Sequence, residues 1–269
     1  MRTAYLRGRE HTKLGAVAAI AEGSAAIALS RGGAAKRYAH RDPNEDVAAF
    51  AVGEAGVLLA VADGHGGCDA AEIAVERLLE RHAKAWTQRE APALRSAWES
   101  TAREAILGAN AAILERLAGT GVESARTTLA FALARPDQGW LAFASLGDSH
   151  VFRTGGGPVV DLAARDGRLC FLGHAPETEQ SLREKCVVGS EALGSARALV
   201  LVTDGISERG IGVEVPEDAV ADALHAVERR PAELRSLEAA RGVVERALDA
   251  HRRHDAGDNV SSSVVWLPR

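Results

Sequence analysis

Apolar residues recur along this chain in two rhythms, one of helical and one of strand period. Over residues 69–88, Ile73, Val75, Leu78, Leu79, His82 and Trp86 fall largely on one side at helical spacing, which predicts a helix with Asp69 as its N-cap. A second helix is predicted from about 92 to 117, striped by Leu94, Trp98, Ala105, Ile106, Ile113 and Leu117, with Pro92 suited to a first helical position. Two more read over 217–229 and about 232–254. Between them lie apolar runs of strand length at 25–29, 47–52, 57–61, 127–134, 140–145, 150–153, 199–203 and 260–267. Several are separated only by turn signals such as Pro136-Asp137-Gln138-Gly139, which predicts hairpins. Strands and helices are grouped, not strictly alternating, so mixed sheets flanked by helices fit better than a Rossmann-type fold.

Composition narrows the class. The 269 residues are 46% hydrophobic and 26% charged, the balance of a soluble globular protein and not of a disordered, collagenous or membrane-spanning one. Aromatic residues are only 4%, so the core must be built from Ala, Leu and Val. With 37 acidic against 32 basic residues the net charge is −5, which argues against a nucleic-acid-binding face. Lys13, Lys36, Lys84 and Lys185 are the only lysines, a bias that GC-rich genomes produce. Cys68, Cys170 and Cys186 are odd in number and lack CxxC spacing, as in a reduced intracellular protein. Arg2, Arg7, Arg9 and Lys13 precede an apolar stretch at 14–21, but the stretch is short and Ala-rich and Glu10 and His11 interrupt the basic segment, unlike a secretory leader. No run approaches the roughly 20 apolar residues of a membrane span. A cytosolic monomer without membrane or nucleic-acid partners is expected, folded as one domain over residues 1–269.

Candidate chemistry appears where acidic residues meet strand ends. Asp63 follows Val57-Leu58-Leu59-Ala60-Val61-Ala62 and leads into Gly64-His65-Gly66-Gly67. Asp204 follows 198–203 and precedes Gly205; Asp148 ends Phe143-Ala144-Ser145-Leu146-Gly147. Asp258-Asn259 precede the run at Val260, and Glu45-Asp46 precede the run at Val47. One such Asp is ordinarily a turn cap. Five placements of this kind, beside glycines that let the backbone approach, are what a hard-cation site requires. Oxygen ligands with few His or Cys point to Mg²⁺ or Mn²⁺ and away from Zn²⁺.

The pieces Arg41-Asp42-Pro43-Asn44-Glu45-Asp46, Val61-Ala62-Asp63-Gly64-His65-Gly66-Gly67, Thr127-Thr128, Gly147-Asp148-Ser149, Val202-Thr203-Asp204-Gly205 and Asp258-Asn259-Val260 occur in one order. Together they resemble the metal-dependent serine/threonine protein phosphatases of type 2C, over residues 41–260. The resemblance implies an α+β fold, a four-layer αββα sandwich of two mostly antiparallel sheets packed face to face with helices outside. It implies hydrolysis of phosphoserine and phosphothreonine on a protein substrate by water activated between two Mn²⁺ or Mg²⁺ ions. By motif, Asp63 would bridge the ions, the Gly64 carbonyl would bind one, Asp204 and Asp258 would complete the first, and Glu45 would reach the second directly or with Asp46 through water. Asp148 resembles the position of a third, weaker ion. Arg41 would hold the phosphate, and His65 would protonate the leaving oxygen.

The chain departs from the family at His150, where Arg often follows Gly-Asp-Ser. The stretch 153–198, which forms the substrate-side flap in many relatives, is compact here and holds Gly155-Gly156-Gly157 and Asp166-Gly167. His251-x-x-His254 has helical metal spacing, but Arg252 and Arg253 between them suggest a solvated helix end. No phosphate-loop or dinucleotide fingerprint occurs. A small-metabolite phosphatase or a non-catalytic phosphoprotein-binding domain could share this core; the retention of Asp63, Asp204 and Asp258 favours catalysis.

Overall fold

The computed structural model describes residues 1–89, 94–164, 169–174 and 177–267. The chain runs β1 (Arg2–Arg7), β2 (Ala18–Glu22), β3 (Ala25–Ser30), β4 (Val47–Val52), β5 (Val57–Ala62) and β6 (Gly64–His65). Then come α1 (Asp69–Leu78), a π-helical turn (Leu79–Ala83), α2 (Lys84–Thr87) and α3 (Leu94–Leu117). Strands β7 (Arg126–Thr127), β8 (Leu129–Arg135), β9 (Trp140–Leu146), β10 (His150–Thr154) and β11 (Val160–Asp161) follow. The remainder is α4 (Glu179–Lys185), β12 (Val187–Ala192), β13 (Ala198–Val202), α5 (Pro216–Val227), α6 (Ala232–His254) and β14 (Val260–Trp266).

Two six-stranded sheets form, ordered β1-β4-β5-β8-β9-β12 and β11-β10-β13-β14-β3-β2, with a small β6-β7 ribbon beside them. Every pairing among the described residues is antiparallel, as the family resemblance implies and more uniformly than the mixed sheets that the strand and helix grouping alone suggests. The reason is local: β2–β3, β4–β5 and β8–β9 are hairpins, and such connections cannot make parallel neighbours. The signal at 136–139 is one of these turns, with Gly139 left-handed at φ 67°.

Strand side chains explain the layering. In β5, Leu58, Ala60 and Ala62 join a core with α1 and α3, while Val57, Leu59 and Val61 join the core between the sheets. In β13, Leu199 and Leu201 face the other sheet, and Ala198, Val200 and Val202 face α5 and α6. Central strands buried on both faces read as unbroken apolar runs, which is why they were legible. Each buried Leu or Val contributes about 1.5–3 kcal/mol. The result is helices, sheet, sheet, helices, four layers with three cores. The few aromatics concentrate in one place, with Trp86, Trp98, Phe131 and Trp140 in edge or stacked contact under α1–α3.

Some expectations shift. Asp69 is the first helical residue, not the N-cap, which is Cys68; its carboxylate pairs with Arg9 at 2.9 Å, where an acid also suits the helix dipole. Pro92 and Asp166-Gly167 lie outside the described residues. His251 is fully buried, not solvated: Gly33 N donates to its Nδ1 (3.2 Å), and its Nε2 lies 2.7 Å from the Gly205 carbonyl. No disulfide joins the three cysteines, all buried. Among the described residues no helix is long and apolar enough to cross a membrane.

Candidate metal centre

The two sheets deliver their acidic residues to one end of the sandwich. Strand β5 ends at Asp63, β9 leads to Asp148 and β13 to Asp204, while Asp258 enters β14 and Glu45-Asp46 enter β4. Carboxylate oxygens of Asp63, Asp148 and Asp204 lie within 4.8 Å of one another. Glu45, Asp63, Gly64, His65, Asp204 and Asp258 line one cleft of about 490 Å³. Asp46 sits behind it, fully buried, accepting from Thr203 Oγ1 at 2.7 Å. Asp148 lines a different cavity, of about 210 Å³, with His150, Asp161 and Ser207.

Short-range backbone bonds explain why these motifs have their composition. Asp63 N donates to Thr128 Oγ1 (3.0 Å), and Thr127 Oγ1 and Thr128 N donate to the Asp63 carbonyl (2.8 and 3.0 Å), so the Thr pair fixes the turn that presents Asp63. A Cβ at Gly64 would stand 2.5 Å from the Glu45 carbonyl oxygen, so only glycine lets the two loops meet. Glu45 Oε1 accepts from the N–H groups of Arg41, Asp42 and Gly67 at 3.2, 3.2 and 2.6 Å. Asn259 ties the cleft together: its Oδ1 accepts from Glu45 N (2.8 Å), and its Nδ2 donates to the carbonyls of Arg31 and Pro43 (both 3.0 Å).

Several residues at the site escaped the sequence reading. Lys36 Nζ lies 3.1 Å from Asp258 Oδ1 and 3.9 Å from Glu45 Oε2, with its side chain 4% exposed. Tyr38 also donates to Asp258 Oδ1, and Asn259 N donates to the same oxygen at 2.7 Å. Arg126 and Glu208 line the cleft. The rarity of lysine could have flagged Lys36, and Glu208 sits one helical turn beyond Asp204. Arg41, by contrast, is exposed, and only its backbone N–H reaches the acidic cluster. His150 takes the place expected for Arg: its Nδ1 lies 2.7 Å from Asp161 Oδ2 and its Nε2 2.7 Å from Ser207 Oγ. It links the strand after Asp148 to the turn after Asp204.

The electrostatics are those of crowded acids. Burial, then neighbouring carboxylates, holds Asp63 and Asp204 well above the ordinary carboxylate range. Burial lifts Asp46 to about 7, although Thr203 and Lys36 pull the other way. Burial and then Asp258 and Asp148 raise Glu208. Burial alone would lower Lys36, but Asp258, Asp46 and Asp63 outweigh it and keep the ammonium charged. Desolvation lowers His65, whose ring packs on Phe171 with centroids 4.8 Å apart. Asp46 Oδ1, Asp148 Oδ1 and His65 Nδ1 are buried without a hydrogen-bond partner among the described residues, although His65 Nδ1 lies 3.4 Å from Asp63 Oδ2. An all-oxygen cluster with orphaned acceptors fits hard divalent cations.

The sequence profile of the family described as Protein phosphatase 2C matches residues 31–240, most of the chain. The chain belongs to the protein phosphatase 2C family. A comparison with curated proteins finds no match. In fold, this phosphatase is similar to a Toxoplasma gondii serine-threonine phosphatase 2C, with a TM-score of 0.68 at 14% identity over 99% of both chains. It is also similar to a bacterial serine phosphatase, with a TM-score of 0.68 at 18% identity over 92% of this chain and 98% of the other. A third likeness is to the catalytic domain of PstP, a phosphatase of Mycobacterium tuberculosis, in complex with two manganese ions. Its TM-score is 0.61 at 21% identity, over 94% of this chain and all of that one. The two packed antiparallel sheets with outer helices are the fold these phosphatases share.

Proposed function

We propose that this protein hydrolyses phosphoserine and phosphothreonine monoesters on protein substrates with the help of two divalent ions, Mn²⁺ or Mg²⁺, as one domain. The observation that carries this reading is the convergence of Asp63, Asp148 and Asp204 oxygens within 4.8 Å, with Asp63 and Asp204 lining a cleft to which both sheets contribute. Asp63 with Asp204 and Asp258 would hold one ion, and Asp63 with Glu45, directly or with Asp46 through water, the other; the Gly64 carbonyl would bind one of the two, and Asp148 would serve a weaker third. Bound divalent ions supply the Lewis acidity that aligns a phosphate and activates water for in-line attack.

The protein's own groups do the rest. Arg41, at the rim, would grip the incoming phosphate with its forked donors. His65 would give the leaving seryl or threonyl oxygen its proton. Desolvation lowers its pKa, so the imidazolium is a stronger acid but a smaller fraction of the ring carries the proton near pH 7. Asn259 and Thr127-Thr128 hold the loops so that the acidic side chains stay in place without the substrate.

The test is turnover of p-nitrophenyl phosphate and of a phosphoserine peptide with Mn²⁺. Wild type should turn over both, and Asp63→Asn should lose turnover while keeping its circular dichroism spectrum. Turnover that survives Asp63→Asn would sink the site assignment; a wild type that binds millimolar Mn²⁺ calorimetrically yet hydrolyses neither would mark a phosphoprotein-binding domain.

A further inference from the structure

The cleft contains a guanidinium that nothing in the acidic cluster neutralises. Arg126 stands opposite His65 in the β6–β7 ribbon, the two residues being direct cross-strand partners. Both lean on one aromatic ring: the Arg126 Cζ lies 5.1 Å and the His65 ring 4.8 Å from the Phe171 ring centre. Arg126 Nε is buried and has no hydrogen-bond partner among the described residues. The other cations differ. Lys36 is committed to Asp258 and Glu45, and Arg41 is exposed outside the cleft lining. A half-buried guanidinium with no carboxylate partner among the described residues has lost water without gaining an anion, and this is costly unless a ligand supplies one.

We propose that Arg126 is the anion-binding residue on the His65 side of the cleft, taking the oxygens of the substrate's phosphate, with Phe171 as the platform that sets its height. This rests on the phosphatase reading. It assigns the leaving-group side of the cleft its own phosphate grip, so that Arg41 is not the sole anchor. The cation–π contact fixes the plane of the guanidinium, and a planar fork held in advance loses little entropy on meeting a tetrahedral anion. Cross-strand pairing also keeps Arg126 in register with His65, so the group that grips the phosphate and the group that protonates the ester oxygen move as one unit.

The experiment measures inorganic phosphate binding to the Mn²⁺-loaded protein by calorimetry, and KM and kcat on p-nitrophenyl phosphate, for wild type, Arg126→Gln, Arg126→Lys and Phe171→Leu. Arg126→Gln should weaken phosphate binding and raise KM about tenfold or more, the scale of one charge-assisted hydrogen bond, with Mn²⁺ affinity unchanged. Arg126→Lys should recover part of the loss, because it restores charge without the fork. Phe171→Leu should give a smaller loss of the same sign. Unchanged phosphate affinity in Arg126→Gln overturns the proposal, as does a parallel loss of Mn²⁺, which would make Arg126 a support for the ion cluster. A wild type that fails to turn over substrate refutes the phosphatase reading instead, and phosphate calorimetry still reads Arg126 separately.

Discussion

The two banks of the cleft satisfy their carboxylates differently. On one, Asp258 Oδ1 receives three donors (Lys36, Tyr38 and Asn259 N) and Glu45 Oε1 receives three backbone N–H groups. The fold itself neutralises and orients this bank. On the other, Asp63, Asp148 and Asp204 crowd within 4.8 Å, and Asp148 Oδ1 has no donor. Here the chain supplies net repulsion, which protonation relieves at low pH and a bound cation relieves at neutral pH. A site of this design keeps one bank in place when no ion is bound and leaves the other to sense the ion.

The largest effect that separates the banks should come from Asp204→Asn. Removing one of three mutually repelling acids should weaken Mn²⁺ binding by about 100-fold or more and yet raise the melting temperature of the ion-free protein near pH 8. Calorimetry and thermal melts read the two together, and a variant that is less stable without ions would show that the crowding costs nothing. Lys36→Met attacks the other bank. It leaves Asp258 buried without its cation, so the ion-free protein should lose about 3 kcal/mol in denaturant unfolding, and Mn²⁺ should restore part of it. Thr203→Val should be milder, about 1–2 kcal/mol, because it strips Asp46 Oδ2 of its donor and Ser261 N of its acceptor.

The gentlest perturbation is pH. Asp46, Asp63 and Asp204 hold protons more tightly folded than unfolded, since their folded values lie above the ordinary 3.8. Their contribution to ion-free stability is therefore fully present below about pH 3.8 and is lost as pH rises through about 7 for Asp46. Melts from pH 5 to 8 should fall in ion-free protein and flatten when Mn²⁺ is added. An ion-free melt that rises across this range would contradict the crowding.

How much of this could be read from the chain depended on which forces wrote the pattern. The strands buried on both faces, such as β5 and β13, announce themselves as apolar runs, and α6 appears over residues 232–254 because its helical period is long and uninterrupted. The edge strands β1, β2 and β12 stay hidden, since RTAYLR, AAIAE and VVGSEA are partly exposed and carry polar residues. At the site, Asp63, Asp148, Asp204 and Asp258 were visible because each sits at the end of an apolar run beside glycine, and Asp46 because it precedes one. Lys36, Tyr38 and Arg126 were not, because they lie in loops or a two-residue strand and their meaning comes only from what the fold sets opposite them. His251 shows the reverse error: flanking arginines suggested solvent, but helix geometry turns it inward to the Gly205 carbonyl while its neighbours face out.

The pairing of β3 with β14 matches Ala25 to Val265 and Ser30 to Val260, residues from near the two ends of the described chain. A sheet closed by so distant a contact must wait for loop closure, and folding dominated by such contacts runs in milliseconds to seconds, not microseconds. During synthesis, the first sheet has all of its strands once β12 has emerged, but Asp258 and β14 come from the ribosome later still. A growing chain therefore carries an acidic cluster that is short of one member and a β3 edge without its partner. Premature ion capture or edge-to-edge association at that stage would be the characteristic failures of this topology.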